Sequence, residues 1–509
     1  MNTGCHGPLR SAPTTLLIAA LLAALAILLP GAGRAAATPA APGPADPVST
    51  PVSTPVEFTG AGGTVLHGQV LTPPPAAAAP GPGLVMVAGA GPGPASGLRA
   101  AAEAYARRGI TTLIYDKRTD GYSQTHRDYG QLADDALAAV RLLRSRPDVA
   151  PDRVGLWGLS EGAWVVSLAA TRSDDVAYLV TAGAAGLTPS RQQAWAYGGY
   201  LRHAGISGSL LSALQDTSVR QLAAAGLFAE ADYDPVPVWE RVHQPVLAEW
   251  GTLDREAAPE ESAPIIRQAL DRAGNTHYTI RTIPGVRHNL HLTHDGGYDR
   301  IDRLPDDYAA YEAAWIQRLA TAPPPVSADP APHQDGTSRP LAPLAWYEST
   351  PVQALALLVL LTGFTGYPLT GALRRIRRRI RPAAQPRTAQ PRTALPSTAQ
   401  PRTARRAARW AAATGTAATL GGLGYLLFLA ATAAMFPGPV LFGRPLVWLA
   451  LQLLALTAVG SAAVAAGTAL RNRAALAAAP GLDRIRLGGL LLAGAVFVPW
   501  ALSWGLLLP

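Results

Sequence analysis

The chain has 509 residues, 49% hydrophobic and only 15% charged, with 43 basic and 34 acidic side chains for a net charge of +9. That composition excludes a disordered polyelectrolyte, and the length suffices for one large domain or a few smaller ones, each with a full core. The charge is unevenly divided: residues 1–352 carry −7 and residues 353–509 carry +16, so the basic excess sits in a very apolar C-terminal region and does not point to nucleic acid as a partner. Cys5 is the single cysteine, which excludes an internal disulfide and argues against cysteine-based metal sites or a thiol nucleophile. Lys117 is the single lysine among 42 arginines, a bias that reads as base composition of the gene.

In chain order, residues 1–37 come first. Arg10 precedes an uncharged run with Leu16–Leu29 at its heart, followed by Ala35-Ala36-Ala37. That order of charge, apolar core and small residues predicts a secretory signal or an N-terminal anchor. Residues 38–55 form a Pro/Ala/Thr linker. From 56 to 320 the pattern is globular. Strands are expected at 64–71, 84–88, 111–116, 153–158, 177–182, 245–250 and 278–283. Helices are expected near 98–108, 130–146, 161–171, 260–273 and 306–319. Apolar strands alternating with helices imply an α/β domain with a mostly parallel sheet covered on both faces. Residues 190–240 interrupt the alternation and read as a cap-like insertion.

Residues 321–350 form a second Pro-rich linker. Beyond it, four uncharged apolar stretches predict an all-α region of four transmembrane helices at 352–373, 411–436, 445–470 and 487–508, each able to cross a hydrocarbon core of roughly 30 Å. Trp346-Tyr347, Trp410 and Trp448 lie near their ends, where an interfacial aromatic belt is expected. The loop 374–409 holds 12 arginines and no acid, and includes a QPRTA repeat. Arg471, Arg473, Arg484 and Arg486 flank the next loop on that side, whereas only Arg444 lies between the second and third spans. The positive-inside rule therefore assigns 374–409 and 471–486 to the cytoplasm and the globular domain to the outside, with membrane lipids as a contact of the basic loop.

The chemistry concentrates in the globular segment. Gly158-Leu159-Ser160-Glu161-Gly162 follows a hydrophobic strand and opens an apolar helix, which is the context of a nucleophile elbow. Its serine needs a base, and the base an orienting acid. Asp254 follows the strand 245–250, a better position than those of Asp234, Glu249 or Glu256. His288 follows the strand 278–283, and His291 is its rival as the base. Carboxyl ends of parallel strands are where such sheets build active sites. His288, His291 and His294 are spaced unlike the usual two-histidine helical motif and lack a converging acidic cluster, so no metal is expected. The amides of Ala90, in the Gly-rich loop after strand 84–88, and of Glu161 are the expected oxyanion donors. Pro94 stands where a phosphate-cradling Gly-x-Gly-x-x-Gly loop needs its last glycine. The charged cluster 115–121 at a strand end fits either a solvated turn or the rim of the cleft, and reads as structural.

In the segments AGAGP, YDKRTDGYS, DRVGLWGLSEGAW, DYDPVPVWERVHQPVLAEWGTLD and IPGVRHNL, the chain resembles the α/β-hydrolase superfamily. More narrowly, it is similar to the secreted bacterial branch related to dienelactone hydrolases, serine aminopeptidases and prolyl-oligopeptidase-type domains. The resemblance implies an eight-stranded, mostly parallel sheet and cofactor-free hydrolysis of an ester, thioester or amide. Two departures stand out. Ala88-Gly89 replaces the common His-Gly, and Thr119-Asp120 separate the DKR triplet from Gly121. The expectation is a membrane-anchored extracytoplasmic serine hydrolase acting on a small-molecule or lipid-linked acyl substrate. A sensor or acyltransferase on the same fold is the alternative.

Overall fold

Strand segments such as Leu84–Val87 and Leu156–Trp157 are apolar at every position, which suits strands buried on both faces. The computed structural model, which describes residues 50–74, 79–380 and 402–509, lays them side by side in one sheet. The N-terminal segment 1–37, most of the linker 38–55 and residues 381–401 of the basic loop lie outside the described residues. The described chain divides into two compact units.

One unit comprises residues 50–200 and 226–341. Its nine strands are β1 (Val52–Thr59), β2 (Val65–Thr72), β3 (Gly81–Val87), β4 (Thr111–Tyr115), β5 (Val149–Leu159), β6 (Leu179–Ala182), β7 (Val246–Gly251), β8 (Tyr278–Ile283) and β9 (Ser327–Ala328). They are ordered β1-β2-β4-β3-β5-β6-β7-β8-β9. β1–β2 and β2–β4 are antiparallel, and every pair from β4 onward is parallel. On one face, Val85, Val87 and Leu156 pack under helices α2 (Tyr129–Arg144) and α3 (Glu161–Ala170). On the other, Leu84, Met86 and Trp157 pack under α1 (Arg99–Ala106) and α6 (Ala310–Arg318). Alternate residues of one strand thus enter different cores. Helix α4 (Pro189–His203) follows β6 in the chain, and α5 (Pro259–Arg272) lies between β7 and β8.

Two strands differ from the sequence expectation, and the sheet has nine strands where the resemblance implied eight. β1 begins inside the segment read as linker, because its prolines suggest disorder. Pro55 is tolerated there because β1 is an edge strand, paired only with β2. β9 lies in the second Pro-rich segment and pairs with β8 through Ser327 and Ala328. Farther along, Ser338 N donates to Glu261 Oε2 at 2.8 Å and Gln334 N to Glu260 Oε2 at 2.8 Å. Residues between prolines therefore strap this segment to the start of α5.

The second unit comprises Leu201–Ala225 and the C-terminal region from residue 342. Its helices α7 (Thr350–Ile380), α8 (Arg402–Ala431), α9 (Leu446–Arg471) and α10 (Gly481–Ser503) are each long and apolar enough to cross a membrane. Small residues allow close packing. A Cβ on Gly363 of α7 would lie 2.5 Å from Ala493 Cβ of α10, and one on Gly415 of α8 would lie 2.6 Å from the Phe364 ring. α7 runs on into arginine-rich sequence and α8 begins in it, so both helices extend beyond their apolar stretches. α8 stops at Ala431, five residues short of the expected end, where Ala433 and Ala434 take left-handed φ angles of 51° and 60°. Trp448, expected in an interfacial belt, is instead fully buried beside Tyr425. Trp346 and Trp410 are exposed.

The middle of the segment read as a cap belongs to this second unit. Ser209 N donates to Pro509 O at 2.9 Å, and its Oγ accepts from Trp448 Nε1 and Gln452 Nε2, both at 3.3 Å. Ser207 N donates to Gly443 O at 2.9 Å. Arg220 forks onto Glu348 at 2.6 and 3.2 Å. The contacts gather at one end of the helices: the start of α7, the α8–α9 loop and the C-terminal residues.

A buried charge imbalance yields a stability prediction. Glu249 of β7 and Glu312 of α6 are both buried, with Arg281 2.8 Å from Glu249 and 3.8 Å from Glu312. Burial, then repulsion from Glu312, pushes the Glu249 carboxyl well above its ordinary range, with Arg281 opposing. Folding therefore favours a proton here. The stability that this proton brings is fully present below the unfolded carboxylate range near pH ~4.3 and is lost as pH rises through the raised native value. Glu249→Gln is expected to raise the unfolding midpoint at pH 8 and give no gain at pH 4. A tenfold difference in proton affinity between the folded and unfolded chain is worth ~1.4 kcal/mol, and thermal unfolding at the two pH values measures the effect.

Candidate active site

Six loops leave the carboxyl ends of β3 to β8, and the residues singled out above lie on them. Val87 of β3 pairs with Gly158 of β5. Ala90 and Glu161, each three residues farther on, therefore leave the sheet from adjacent strands. The approach is very close. A Cβ on Gly162 would lie 2.4 Å from Val87 O, and one on Gly158 would lie 2.4 Å from Gly162 O. Larger side chains at either glycine would force the turn open.

Ser160 sits at this turn with φ 54° and ψ −116°, a strained conformation for a residue with a side chain. Its N–H donates to Ala182 O at 2.9 Å and its carbonyl accepts from Ala163 N at 2.9 Å. These bonds hold the strain and keep Ser160 at the N-terminus of α3. Among the described residues, no acceptor takes the N–H of Ala90 or of Glu161.

Asp254 follows β7 and His288 follows β8. Their side chains meet, with His288 Nδ1 2.9 Å from Asp254 Oδ2. Asp254 Oδ1 accepts from the N–H groups of Glu256 and Ala257 at 2.8 and 2.9 Å. Both residues are buried, at 1% and 4% exposure. Burial raises the Asp254 carboxyl, but His288 and the two amides outweigh it and hold the group below its ordinary range. Burial lowers the His288 imidazole, but the Asp254 and Glu256 carboxylates outweigh that and raise it above 6.5. Among the described residues, the buried Nε2 of His288 has no hydrogen-bond partner.

His288 and Ser160 meet the same short turn after β6. Ser160 bonds to Ala182, and a Cβ on Gly183 would lie 2.6 Å from His288 Nδ1. Gly183 has a φ of +60° and supplies the room for the imidazole. This requirement lies between residues more than 100 positions apart in sequence, so no local pattern announces it.

The rival residues have other partners. His291 Nε2 is 3.2 Å from Asp302 and its Nδ1 is 3.0 Å from Asn289 O, so it does not meet Asp254. Glu256 pairs with Arg300 at 2.8 Å, Asp234 receives Val236 N at 3.0 Å, and Glu249 lies in the β7 core. Among the described residues no group of three His, Cys, Asp or Glu side chains converges on a metal position.

The charged cluster 115–121 departs from a solvated turn. Arg118 is buried and paired with Asp135 at 2.6 Å, and its Nη2 donates to Ala61 O at 2.8 Å, which ties α2 to the β1–β2 turn. Lys117 is buried in the other direction. Its Nζ donates to Gly89 O at 2.5 Å and to Glu161 Oε1 at 2.8 Å. Tyr122 OH donates to Glu161 Oε1 at 2.7 Å, and Arg127 pairs with Glu161 Oε2. Compositional bias alone therefore does not account for Lys117. The signal that marks it is its uniqueness: a chain that uses arginine for every other cation uses lysine here, where a compact three-donor head fits.

Gly183→Ala tests the crowding around the imidazole. The added methyl is expected to displace His288 from Asp254 and to cost ~1–3 kcal/mol from overpacking and positive φ. Loss of the low-field Nδ1–H proton resonance and a lower unfolding midpoint would register the two effects.

Residues 62–279 match the profile of the X-Pro dipeptidyl-peptidase (S15) family. The chain is 34% identical over 74 residues to a thiohydrolase, aneE, of Aspergillus aculeatus, covering 14% of this chain and 23% of that protein. It is 32% identical over 83 residues to a polyketide transferase, claH, of Penicillium crustosum, covering 16% and 27%. The chain thus spans about a quarter of the length of the curated relatives it matches. A hypothetical protein from Pseudomonas aeruginosa is similar in structure, with a TM-score of 0.37 and 16% identity over 53% of this chain and 94% of that one. With the strand order and the turn at Ser160, the profile match over residues 62–279 supports an α/β-hydrolase-type fold for the first unit, and four long apolar helices follow it in the chain.

Proposed function

We propose that this protein is a membrane-anchored extracytoplasmic serine hydrolase that cleaves an ester, thioester or amide through an acyl-enzyme. The observation that carries the reading is the buried His288–Asp254 pair, whose Nε2 has no hydrogen-bond partner among the described residues, together with a strained Ser160 at a helix N-terminus. Ser160 Oγ attacks the acyl carbonyl while His288 Nε2 takes the hydroxyl proton. Asp254 holds the Nδ1–H tautomer and stabilises the imidazolium. The amides of Ala90 and Glu161 receive the oxyanion. Collapse of the tetrahedral intermediate breaks the bond to the leaving group, which departs with the proton from Nε2. Water then attacks the acyl-serine by the same route and releases the acid.

Amides and thioesters both belong in a substrate panel beside simple esters. The S15 profile carries a peptidase's name, and the curated relatives carry a thiohydrolase's and a transferase's.

Arginine placement supports the orientation, with 374–409 and 471–486 in the cytoplasm. The end of the helices that binds Leu201–Ala225 carries only Arg444 among its loop cations, which agrees with that orientation. The insertion is continuous in chain with the hydrolase domain. Its bonds to the helical unit support a role for the spans beyond anchoring, and a substrate presented at the bilayer surface fits that role.

Four outcomes are expected. A fluorophosphonate probe labels the full-length protein at Ser160, and Ser160→Ala abolishes the label; persistent labelling of that variant would sink the assignment. The kcat/KM for a p-nitrophenyl ester falls as pH drops through the raised His288 value, because only the neutral imidazole accepts the proton. Asp254→Asn shifts that limb downward, since it removes the charge that raises His288, and lowers kcat by about 10⁴-fold. For orientation, Cys5→Ser protein with Thr337→Cys reacts with an impermeant maleimide on intact cells, whereas Ser397→Cys reacts only after lysis.

A further inference from the structure

We propose that Lys117 is the positioning residue of the oxyanion hole, aiming the Ala90 N–H by holding the carbonyl of the same peptide unit. The inference rests on the serine-hydrolase reading and deepens it. The Gly89 carbonyl and the Ala90 N–H belong to one peptide group, which is planar and trans, so the two point in opposite directions. Lys117 Nζ donates to Gly89 O at 2.5 Å from the buried side. The Ala90 N–H is thereby turned away from the ammonium and left without an acceptor among the described residues. The same bond polarises the peptide group and strengthens its N–H as a donor.

The next peptide group is held as well. Gly91 N donates to Tyr122 OH at 2.8 Å. Lys117 and Tyr122 both end on Glu161 Oε1, at 2.8 and 2.7 Å. Glu161 is the residue whose own N–H is the second oxyanion donor. One carboxylate oxygen therefore couples the β3 loop to the start of α3, and Arg127 holds the other oxygen. The Lys117, Arg127 and Glu161 side chains are at most 6% exposed. Two buried cations face one buried carboxylate, so the cluster also places net positive charge beneath the site where the oxyanion forms. The Lys117 tether thus steadies the loop after β3 from the segment that follows β4.

The test uses the full-length protein. Lys117→Met keeps Glu161 paired with Arg127 and Tyr122. It is expected to slow fluorophosphonate labelling of Ser160 by about 10- to 100-fold, in keeping with the cost of misplacing an oxyanion donor. The kcat for a p-nitrophenyl ester falls by a similar factor with KM unchanged. Affinity for a boronic acid, which adds to Ser160 as a tetrahedral anion, falls with kcat, and the pH limb assigned to His288 does not move. Wild-type labelling by folded Lys117→Met protein overturns the proposal. So does a loss that appears in KM while boronate affinity stays at the wild-type value. Should Lys117→Met fail to fold, Tyr122→Phe decides: a smaller loss with the same kcat, KM and boronate pattern supports the tether, and unchanged kcat and boronate affinity overturn it. Labelling that survives Ser160→Ala would remove the hydrolase reading itself, an outcome separate from either Lys117 result.

Discussion

The elbow turn brings Gly162 so near the end of β3 that even a methyl group would collide with Val87 O. That approach buries the residue beside the nucleophile, and here the residue is a glutamate. An unpaired buried carboxylate costs several kcal/mol, so Glu161 has to be met by cations or strong donors. Lys117, Tyr122 and Arg127 meet it, and all three come from the segment after β4. The packing of one turn thus dictates the polarity of a neighbouring loop, and through Gly89 and Gly91 it sets the orientation of the β3 loop as well.

The His288–Asp254 pair is governed by a similar economy of charge. A buried histidine beside a buried aspartate is tolerable because each supplies what the other lost with water, and two backbone amides complete the Asp254 shell. The pair uses His288 Nδ1 and leaves its buried Nε2 without a partner among the described residues. The core beneath the sheet shows the less comfortable case. Glu249 and Glu312 share Arg281, and one Glu249 oxygen has no partner among the described residues.

In the second unit the polar bonds that join different segments gather where the helices end. Ser209, Trp448, Gln452 and the Pro509 carbonyl form a compact knot between Leu201–Ala225 and the helix ends. Asp483, the single acid after residue 352, accepts from Arg374 and Arg486. The interiors of the four apolar helices are uncharged and meet through glycine and alanine, where small side chains let the backbones approach closely.

Composition and periodicity determined the α/β class, the seven interior strands and the four apolar helices, and the Gly-x-Ser-x-Gly motif with the order of its partners made Ser160, Asp254 and His288 candidates, because each rests on local order: a strand, a turn, then a polar residue. Edge strands β1 and β9 were hidden by their prolines, which edge pairing tolerates and composition counts as linker. The pairing of His288 rather than His291 with Asp254, the space left by Gly183, and the burial of Lys117 against Glu161 needed the tertiary structure. They depend on strands that are neighbours in the sheet and distant in the chain, and on distances of a few ångströms that no spacing of letters encodes. The end-on docking of Leu201–Ala225 to the apolar helices belongs to the same class, since it joins segments more than a hundred residues apart through backbone carbonyls that every sequence has.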